Sequence, residues 1–267
     1  MQTLLFGALL ALATAGSLVV GEVSPRNFAE GLPGLVDYVR GTLPTLRAAT
    51  LGPDLAEWYW GLGRWLVMLA DTLLIAVMGT LLGGTAALLL CFPASTALTP
   101  SRVLCFVARR MMEIARTVPE LVWALIFVYA FGLGALPGVL AVAVHSMGSL
   151  GKLFSEVNDN VAPGPLDGVR AAGGSWAQVM RFGVLPQVLP AFLSYGLLRF
   201  EINVRASAVL GFVGAGGIGQ ELYLVIRQFI YVDISAIVLL LVVTVALIDI
   251  ACERVRHRVI GAAAVAR

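Results

Sequence analysis

Long uninterrupted apolar runs are the feature that most limits what this chain can fold into. Several approach the roughly 20 residues that an α-helix needs to cross a bilayer. Of the 267 residues, 59% are hydrophobic and 13% are charged, whereas a soluble domain carries about 25% charged residues. The strands of a membrane barrel would alternate apolar and polar residues, and these runs do not. The sequence therefore predicts an all-α membrane protein.

Six apolar segments predict about six transmembrane helices. Their approximate ranges are 3–20, 66–92, 102–132, 136–153, 184–212 and 234–252. The third begins with charged residues, so we expect one helix that starts in the membrane interface and then enters the bilayer. The first contains Ala13-Thr14-Ala15, which resembles a signal-peptidase site. It lacks a basic start and its apolar run continues past that site, so an uncleaved helix is expected.

The polar stretch 21–64 separates the first two segments and runs into a cluster of aromatic residues, Trp58, Tyr59, Trp60 and Trp65. Such residues concentrate where a membrane meets water, although an ordinary packed loop is the alternative. Its middle part, 27–43, is compatible with a short interfacial helix. The predicted division is a helix plus external interfacial segment over 1–65, a transmembrane domain over 66–258 and a cytoplasmic tail over 259–267.

Basic residues are unevenly distributed between the predicted loops. Loops 93–117, 151–181 and 254–267 together carry eleven Lys and Arg residues, whereas loops 21–64 and 213–231 carry five. Cytoplasmic loops of membrane proteins are enriched in Lys and Arg. The first set of loops, and with it both chain termini, is therefore predicted to lie in the cytoplasm.

Familiar catalytic and metal-binding motifs are absent from the sequence, which argues against a membrane enzyme. It has no Walker A motif, no H-E-x-x-H and no G-x-S-x-G, and its three cysteines are too far apart to suggest a metal site. GAGGIG, 214–219, fits G-x-G-x-x-G, but a membrane helix precedes it, which disfavours a nucleotide site. His145 lies within helix four, where an ionisable group indicates a functional role; a helix-capping or interhelical hydrogen bond is the alternative.

The segment RFEINVRAS, 199–207, places three charges inside an otherwise uncharged apolar region. A charge that faces lipid is costly, so these side chains are expected to face the bundle interior, a subunit interface or an aqueous path. Glu201 and Arg205 are four residues apart and are predicted to pair on one helix face. Arg199 and Asn203 share another face.

Two interpretations of this segment remain open. In the first, Glu201–Arg205 is a buried pair that fixes helix register. In the second, an arginine contacts an anionic substrate, because its planar fork donates two parallel hydrogen bonds to a phosphate or phosphonate group. Arg205 is the better candidate for that contact, with Asn203 beside it. Arg199 is equally suited to binding main-chain carbonyls.

The loop 151–182 is the longest polar connection between the later segments. Its second half has apolar residues at helical spacing but is too polar to insert, so it is expected to form a cytoplasmic helix, or two half-helices about Gly173-Gly174. A plain connector on the membrane surface is the alternative. Within it, Asp167-Gly168-Val169 is followed after three residues by Gly173, and Leu185-Pro186 begins twelve residues after Gly173.

This spacing resembles the coupling loop of ABC importer permeases, whose pattern is E-A-A, three residues, G, nine residues and I-x-L-P. The chain departs from it with Asp for Glu, Gly-Val for Ala-Ala, and Gly183 for Ile. Residues 71–254 also resemble the phosphonate-type branch of these permeases. The stretches that carry the likeness are RTVPELVWALIFVYAFGLG, HSMGSLGKLFSE and GVLPQVLPAFLSYGLLRFEINVRASAVLGFVGAGGIGQEL. The chain is thus similar to permease subunits of the binding-protein-dependent transport inner-membrane component family.

The resemblance implies a type I ABC importer permease fold of about six helices with a cytoplasmic coupling helix, in the cytoplasmic membrane of a prokaryote. The implied partners are a second permease copy, membrane lipid, two cytoplasmic ATPases and an extracytoplasmic solute-binding protein, but no nucleic acid. ATP and Mg²⁺ are expected on the ATPase, with no cofactor, metal or catalytic residue on this chain. The implied substrate, moved by alternating access, is phosphonate or a related oxyanion such as phosphate or phosphite.

Roles for two groups of residues follow from the resemblance. Those expected to couple the chain to the ATPase are Asp167, Gly168, Val169, Arg170, Ala171, Gly173, Leu185 and Pro186. Those expected to line the pathway or its gate are Arg199, Glu201, Asn203, Arg205, Gly214, Gly216 and Gly217. The glycines are expected to form a tight turn at the outer surface between helices five and six.

The alternative in a different functional class is an ion-driven secondary transporter or a channel for a small anion. Such a protein would work without an ATPase. The coupling-loop pattern argues against it, as does the lack of a detectable inverted repeat in the sequence.

Overall fold

The chain is helical throughout most of the part that the structure, a computed structural model, describes: residues 2–21 and 24–265. Within those residues there are twelve α-helices and no strand. The helices are α1 (Gln2–Val20), α2 (Pro25–Thr42), α3 (Leu51–Trp58), α4 (Leu62–Ala94), α5 (Arg102–Thr117), α6 (Glu120–Phe131), α7 (Ala135–Asp159), α8 (Pro163–Ala171), α9 (Trp176–Gln178), α10 (Leu185–Leu210), α11 (Ile218–Arg227) and α12 (Tyr231–Val265). A π-helical stretch, Val179–Val184, joins α9 to α10.

Four helices are long and apolar enough to cross a membrane: α1, α4, α7 and, over Tyr231–Arg258, α12. Two bent pairs pass the same test when each pair is taken together. The axes of α5 and α6 meet at 89°, and the stretch Trp176–Val213 meets α11 at 48°. If each bent pair is one span, the described chain has six, in agreement with the number predicted from the apolar runs.

The third predicted segment is broken rather than continuous. α5 ends at Thr117 and α6 begins at Glu120, and between them Val118 and Pro119 have ψ angles of 124° and 142°, outside the helical range. The proline ring disfavours a helical conformation for the residue before it. The prediction of one continuous helix over 102–132 was therefore wrong, and Pro119 is the local reason.

Glycines let α4 and α7 pack with their backbones close together. A methyl group placed on Gly83 would lie 2.5 Å from the Ala143 carbonyl oxygen and 2.8 Å from Cβ of Ser146. Gly148 of α7 meets α5 in the same way, because a Cβ there would lie 2.5 Å from the Met112 carbonyl oxygen. These three helices form the closely packed centre on which α10 lies.

The region between α1 and α4 forms two helices, and the helix predicted within 27–43 is present as α2 (Pro25–Thr42). The aromatic cluster packs on one end of the bundle instead of projecting freely. Trp65 is fully buried, and the Trp60 indole N–H donates to both oxygens of Asp233 at 3.2 Å. Arg64 forms an ion pair with Glu221 of α11. These contacts are those of a packed region, and a position at the membrane interface stays a prediction.

Helices cross both predicted domain boundaries, since α4 begins at Leu62 and α12 continues to Val265. The division into 1–65, 66–258 and 259–267 stays a prediction. Residues 1, 22, 23, 266 and 267, which belong to the first and last of these ranges, lie outside the described residues. α1 buries none of its residues against the rest of the described chain.

We expect Gly83→Ala to destabilise the protein by about 1–3 kcal/mol, because an added methyl group in a close-packed interface forces the neighbouring backbone to move. Gly84→Ala is the matched control, since a Cβ there meets only Cδ1 of Leu150, at 3.7 Å. Both changes raise helix propensity equally, so the difference between them reports the contact. Thermal unfolding of the detergent-purified variants measures it. Equal unfolding temperatures would contradict the close α4–α7 approach.

Candidate coupling loop and translocation pathway

The loop that resembles a coupling element folds as two helical pieces separated by a turn. α8 ends in a Schellman motif: the Gly174 N–H donates to the Val169 carbonyl at 3.0 Å, and the Gly173 N–H donates to the Arg170 carbonyl at 2.9 Å. This motif needs a residue with positive φ after the helix cap, and Gly173 has a φ of +79°. Of the two alternatives, one helix or two half-helices, the structure contains the second.

The second piece leads directly into a long helix. Ser175 and Gln178 form a reciprocal capping box at the start of α9, and the π-helical stretch then continues into α10, whose first residues are Leu185 and Pro186. Gly183 stands where the family pattern has isoleucine. A Cβ on it would lie 3.3 Å from Cα of Leu166, closer than an ordinary contact, so a larger residue would require α8 to shift.

One face of the loop is anchored in the protein. Leu166, Val179 and Met180 are buried in a cluster that also contains Leu98. The Trp176 indole N–H donates to the Leu98 carbonyl at 3.0 Å, which ties the loop to the connection between α4 and α5. The loop is therefore held against the bundle and is not a free connector.

The opposite face of the loop is open. Asp167, Gly168, Arg170 and Ala171 are exposed, and Val169 is half-buried. Asp167 and Arg170 contact one another at 3.2 Å, so each is paired within the helix. An exposed pair of this kind contributes little to stability, and both side chains can exchange it for contacts with another protein. Their predicted pairing with an ATPase stays a prediction.

A polar cluster around Asp159 joins α5, α7 and the connection after α4. Arg109 of α5 donates to Asp159, the last residue of α7, at 2.9 Å. The other oxygen of Asp159 accepts from the Ser95 hydroxyl at 2.6 Å and from the Ala97 N–H at 3.2 Å. Sequence analysis did not identify this cluster, because Asp159 lies 50 to 64 positions from its partners along the chain.

The charges of RFEINVRAS have different partners from those predicted. Glu201 is buried and accepts from Arg256 of α12 at 3.2 Å, and Arg205 donates to both oxygens of Asp249, also on α12, at 2.9 and 3.0 Å. The predicted Glu201–Arg205 pair within α10 was therefore wrong. α12 runs beside α10 and brings an opposite charge to each residue, which an i, i+4 rule cannot anticipate.

Arg199 and Asn203 lie in the packed interior between helices. The Asn203 amide is fully buried and donates to the Thr80 and Ser146 hydroxyls, both at 2.8 Å. Arg199 Nε donates to the same Ser146 hydroxyl at 3.1 Å, and its Nη2 lies 3.8 Å from Glu120 of α6. Asn203 thus does not lie beside Arg205, and Arg199 binds side chains instead of the main-chain carbonyls considered above.

His145 makes a hydrogen bond of the structural kind predicted as the alternative to a functional role, a helix-capping or interhelical bond. Its Nδ1 lies 3.2 Å from the Val118 carbonyl oxygen, and because a carbonyl only accepts, Nδ1 must carry the proton. The Trp123 indole N–H donates to the Ala115 carbonyl at 3.1 Å. Both bonds satisfy carbonyls that the break after α5 leaves without helical partners.

A pocket of about 320 Å³ lies between α6 and α10. Its charged lining residues are Arg205 and Glu120, and its walls are apolar, with Leu121, Ile202 and Val209 among them. Arg205 is the member of the predicted pathway set that lines it. Three charged residues that the sequence did not single out, Glu120, Asp249 and Arg256, complete the contacts around this segment. The sequence feature that could have identified partners for Glu201 and Arg205 is the pair Asp249 and Arg256. These two residues carry opposite charges and are seven positions apart near the end of the last apolar segment.

The glycine-rich turn joins α10 to α11. Gly214, Gly216 and Gly217 have φ angles of +85°, +80° and +76°, a region that other residues rarely adopt. The Gly214 carbonyl accepts from the Gly134 N–H at 3.0 Å, and the Ile218 N–H donates to the Thr72 hydroxyl at 2.9 Å. The predicted tight turn is present after α10, the fifth predicted segment, and is fastened to α4 and to the start of α7, but α11 separates it from α12, the sixth. Its position at the outer surface stays a prediction.

Groups that could hold a metal ion are not found among the described residues, where no three His, Cys, Asp or Glu side chains come together in that way.

Curated relatives have names that concern phosphorus oxyanions. The chain is 39% identical over 230 residues to the phosphite transport system permease protein PtxC of Stutzerimonas stutzeri, covering 86% of this chain and 79% of that one. It is 40% identical over 192 residues to the phosphate-import permease protein PhnE of Mycolicibacterium smegmatis, covering 71% of this chain and 36% of that protein. This chain thus corresponds to about a third of PhnE.

Solved structures with the same fold come from ABC transporters. An inward-facing form of the MetNI methionine ABC transporter matches with a TM-score of 0.61 at 21% identity, over 73% of this chain and 95% of that one. An amino acid ABC transporter with histidines matches with a TM-score of 0.60 at 18% identity, over 75% and 98% of the two chains. The fold is that of a type I ABC importer permease.

The family profile described as "Binding-protein-dependent transport system inner membrane component" matches residues 79–260. That range contains the packed centre, the coupling-type loop, α10 and the glycine-rich turn. The resemblance seen in the sequence is confirmed, and the chain is a multi-pass transport component. This chain belongs to the family of binding-protein-dependent transport system inner membrane components.

Proposed function

We propose that this chain is the membrane-spanning subunit of an ATP-driven importer for phosphite, phosphonate or phosphate. The observation that carries the proposal is the 39% identity over 230 residues with a phosphite transport permease. The identity with a phosphate-import permease supports the same chemical class. Phosphite, phosphonate and phosphate share anionic oxygens on phosphorus, so one pathway suits all three.

The proposed assembly contains two copies of this chain, two cytoplasmic ATPases and a solute-binding protein on the opposite side of the membrane. ATP and Mg²⁺ belong to the ATPases, and this chain carries out no hydrolysis. Both termini are proposed to be cytoplasmic on the basis of the eleven basic residues in one set of loops against five in the other. The glycine-rich turn is then proposed to lie on the outer side, near the binding protein.

The open face of α8 is the proposed docking surface for the ATPase. Its small residues, Gly168 and Ala171, allow close approach, and Asp167 and Arg170 offer both signs of charge. The buried face of the loop is held by Leu166 and Trp176, so a displacement of the docked surface is passed to the bundle. ATP binding on the partner would then bias the bundle between its outward-facing and inward-facing arrangements.

Arg205 is the proposed contact for the transported anion. Its side chain is 54% exposed and lines the pocket between α6 and α10. The guanidinium of arginine matches the geometry of phosphorus oxyanions. Arg199 and Asn203 are instead proposed to hold α4, α6, α7 and α10 together, because Arg199 Nε and the Asn203 amide donate to hydroxyls inside the bundle.

Purification from native membranes in mild detergent tests the proposed assembly. We expect the tagged chain to come out with an ATPase and a second copy of itself, and the reconstituted complex with its binding protein to take up phosphite, phosphonate or phosphate only when ATP is supplied. Stoichiometry from mass spectrometry and uptake into proteoliposomes measure both. Uptake driven by an ion gradient without ATP would instead favour a secondary transporter.

We expect Gly173→Ala to weaken the coupling of ATP hydrolysis to transport. A side chain in the left-handed region costs about 1–2 kcal/mol, so the Schellman turn should open and the docking face should shift. The ratio of substrate-stimulated to basal ATP hydrolysis in the reconstituted complex measures this. Gly164→Ala is the control, because Gly164 is in the first turn of α8, has open space around it and lacks a positive φ. A ratio equal to that of Gly164→Ala would count against the proposed role of the turn.

A charge swap separates the two interpretations of Arg205. Arg205→Glu places two acids opposite each other, and we expect uptake to fall at least about tenfold, since a hydrogen bond from a charged donor is worth about 1.5–3 kcal/mol. The double variant Arg205→Glu/Asp249→Arg restores an ion pair between α10 and α12 but moves the positive charge to α12. If Arg205 contacts the anion, uptake stays low. Recovery to the wild-type rate would reduce Arg205 to a structural role.

A further inference from the structure

Arg205 lies between two different environments. On one side, its Nη2 donates to both oxygens of Asp249 on α12, at 3.0 and 2.9 Å. On the other side, the same side chain lines the pocket of about 320 Å³ between α6 and α10. Asp249 is not among the residues that line this pocket. The Asp249 carboxylate thus binds the guanidinium from outside the pocket and does not fill it.

The Arg205 guanidinium has N–H groups that donate to no acceptor among the described residues. It carries five N–H groups, and among the described residues Asp249 is the acceptor recorded for it, served by Nη2. Nε and Nη1 make no hydrogen bond to any residue in the described part of the chain. Because the Arg205 side chain is 54% exposed, a small anion in the pocket can reach these nitrogens.

The charges around the pocket nearly cancel. Arg205 has Asp249 beside it, and Glu120, which also lines the pocket, lies 3.8 Å from Arg199. An oxyanion that enters gains hydrogen bonds from Arg205 but also meets the negative field of Asp249. The attraction between opposite charges is reduced when a second negative charge is already in contact with the cation.

We propose that this pocket is a subsite for a phosphorus oxyanion, in which Arg205 binds the anion and Asp249 limits the affinity. The inference deepens the proposed function and rests on it for the identity of the transported anion. A group that lines a transport path must bind well enough to admit its ion and weakly enough to release it. A phospholipid headgroup has the same oxyanion chemistry, so the shared chemistry is the claim and the experiment separates the two sources.

The test measures phosphate binding by the detergent-purified permease–ATPase complex, prepared without the solute-binding protein so that its site does not contribute. We expect Asp249→Asn to raise the affinity for radiolabelled phosphate by about two- to fivefold, the range that the loss of one partly exposed ion pair allows. Arg205→Gln should lower the affinity below that of the wild type, and Arg205→Gln/Asp249→Asn should lose the gain.

Arg256→Gln is the matched control. It breaks the neighbouring α10–α12 ion pair, that of Arg256 with Glu201, and leaves the pocket lining untouched. We expect no gain in phosphate affinity from it. A gain equal to that of Asp249→Asn would mean that loosening α12 is enough, and it would overturn the specific role of Asp249.

The remaining outcomes distinguish free phosphate from a phospholipid headgroup as the bound anion. They also distinguish a failure of this inference from a failure of the proposed function. A gain in bound phosphate supports a subsite for the free anion, and a gain confined to co-purifying phospholipid, measured by native mass spectrometry, supports a headgroup. The inference is overturned if neither bound phosphate nor bound phospholipid changes in an Asp249→Asn complex that assembles normally. It is also overturned if Arg205→Gln binds phosphate with the wild-type affinity. Uptake by the wild-type complex is scored separately: if the wild type transports none of the three oxyanions, it is the proposed function that fails.

Discussion

The charges of α10 have to be satisfied inside the protein, because lipid cannot solvate them, and much of the surrounding structure follows from that constraint. Glu201 and Arg205 reach α12, whereas Arg199 and Asn203 reach α4, α6 and α7. α10 is therefore joined by polar contacts to the helices on several of its sides. It also begins directly after the coupling-type loop, so one helix connects the proposed docking surface with the pocket.

The loop itself works as a two-faced element. Its inner face is packed into a buried cluster with Leu98, Val179 and Met180, and its outer face carries small and charged residues that are open. Close-packed interiors transmit displacement instead of absorbing it. The Schellman turn at Gly173 sets the angle between α8 and α9. Gly183 has no side chain, so α8 can lie close to the π-helical stretch that leads into α10. The proposed docking and transmission would thus take place in one compact unit.

Features that depend on local sequence were predicted well. The six apolar runs match six spans if each bent pair is one span, and the turns at Gly173 and at 214–217 follow from glycines in positions that need positive φ. Pro119 was a local signal for a break that the continuous apolar pattern obscured. The site was harder to predict: Arg205, predicted for the pathway, lines a pocket, its role there stays a prediction, and its predicted partner Glu201 was wrong. Asp249 lies 44 positions away, and no local rule relates the two residues.

The sequence by itself determined that this chain is a helical membrane protein of a recognisable transport family, because hydropathy, glycine turns and the coupling-loop spacing are read over a few residues at a time. Only the tertiary structure decided which charge meets which. The pairing of Glu201 with Arg256 and of Arg205 with Asp249 depends on how α12 lies against α10, and the pocket depends on how α6 lies beside α10. The physical reason is that ion pairs and cavities form between helices, where distance in space is set by packing and not by separation along the chain.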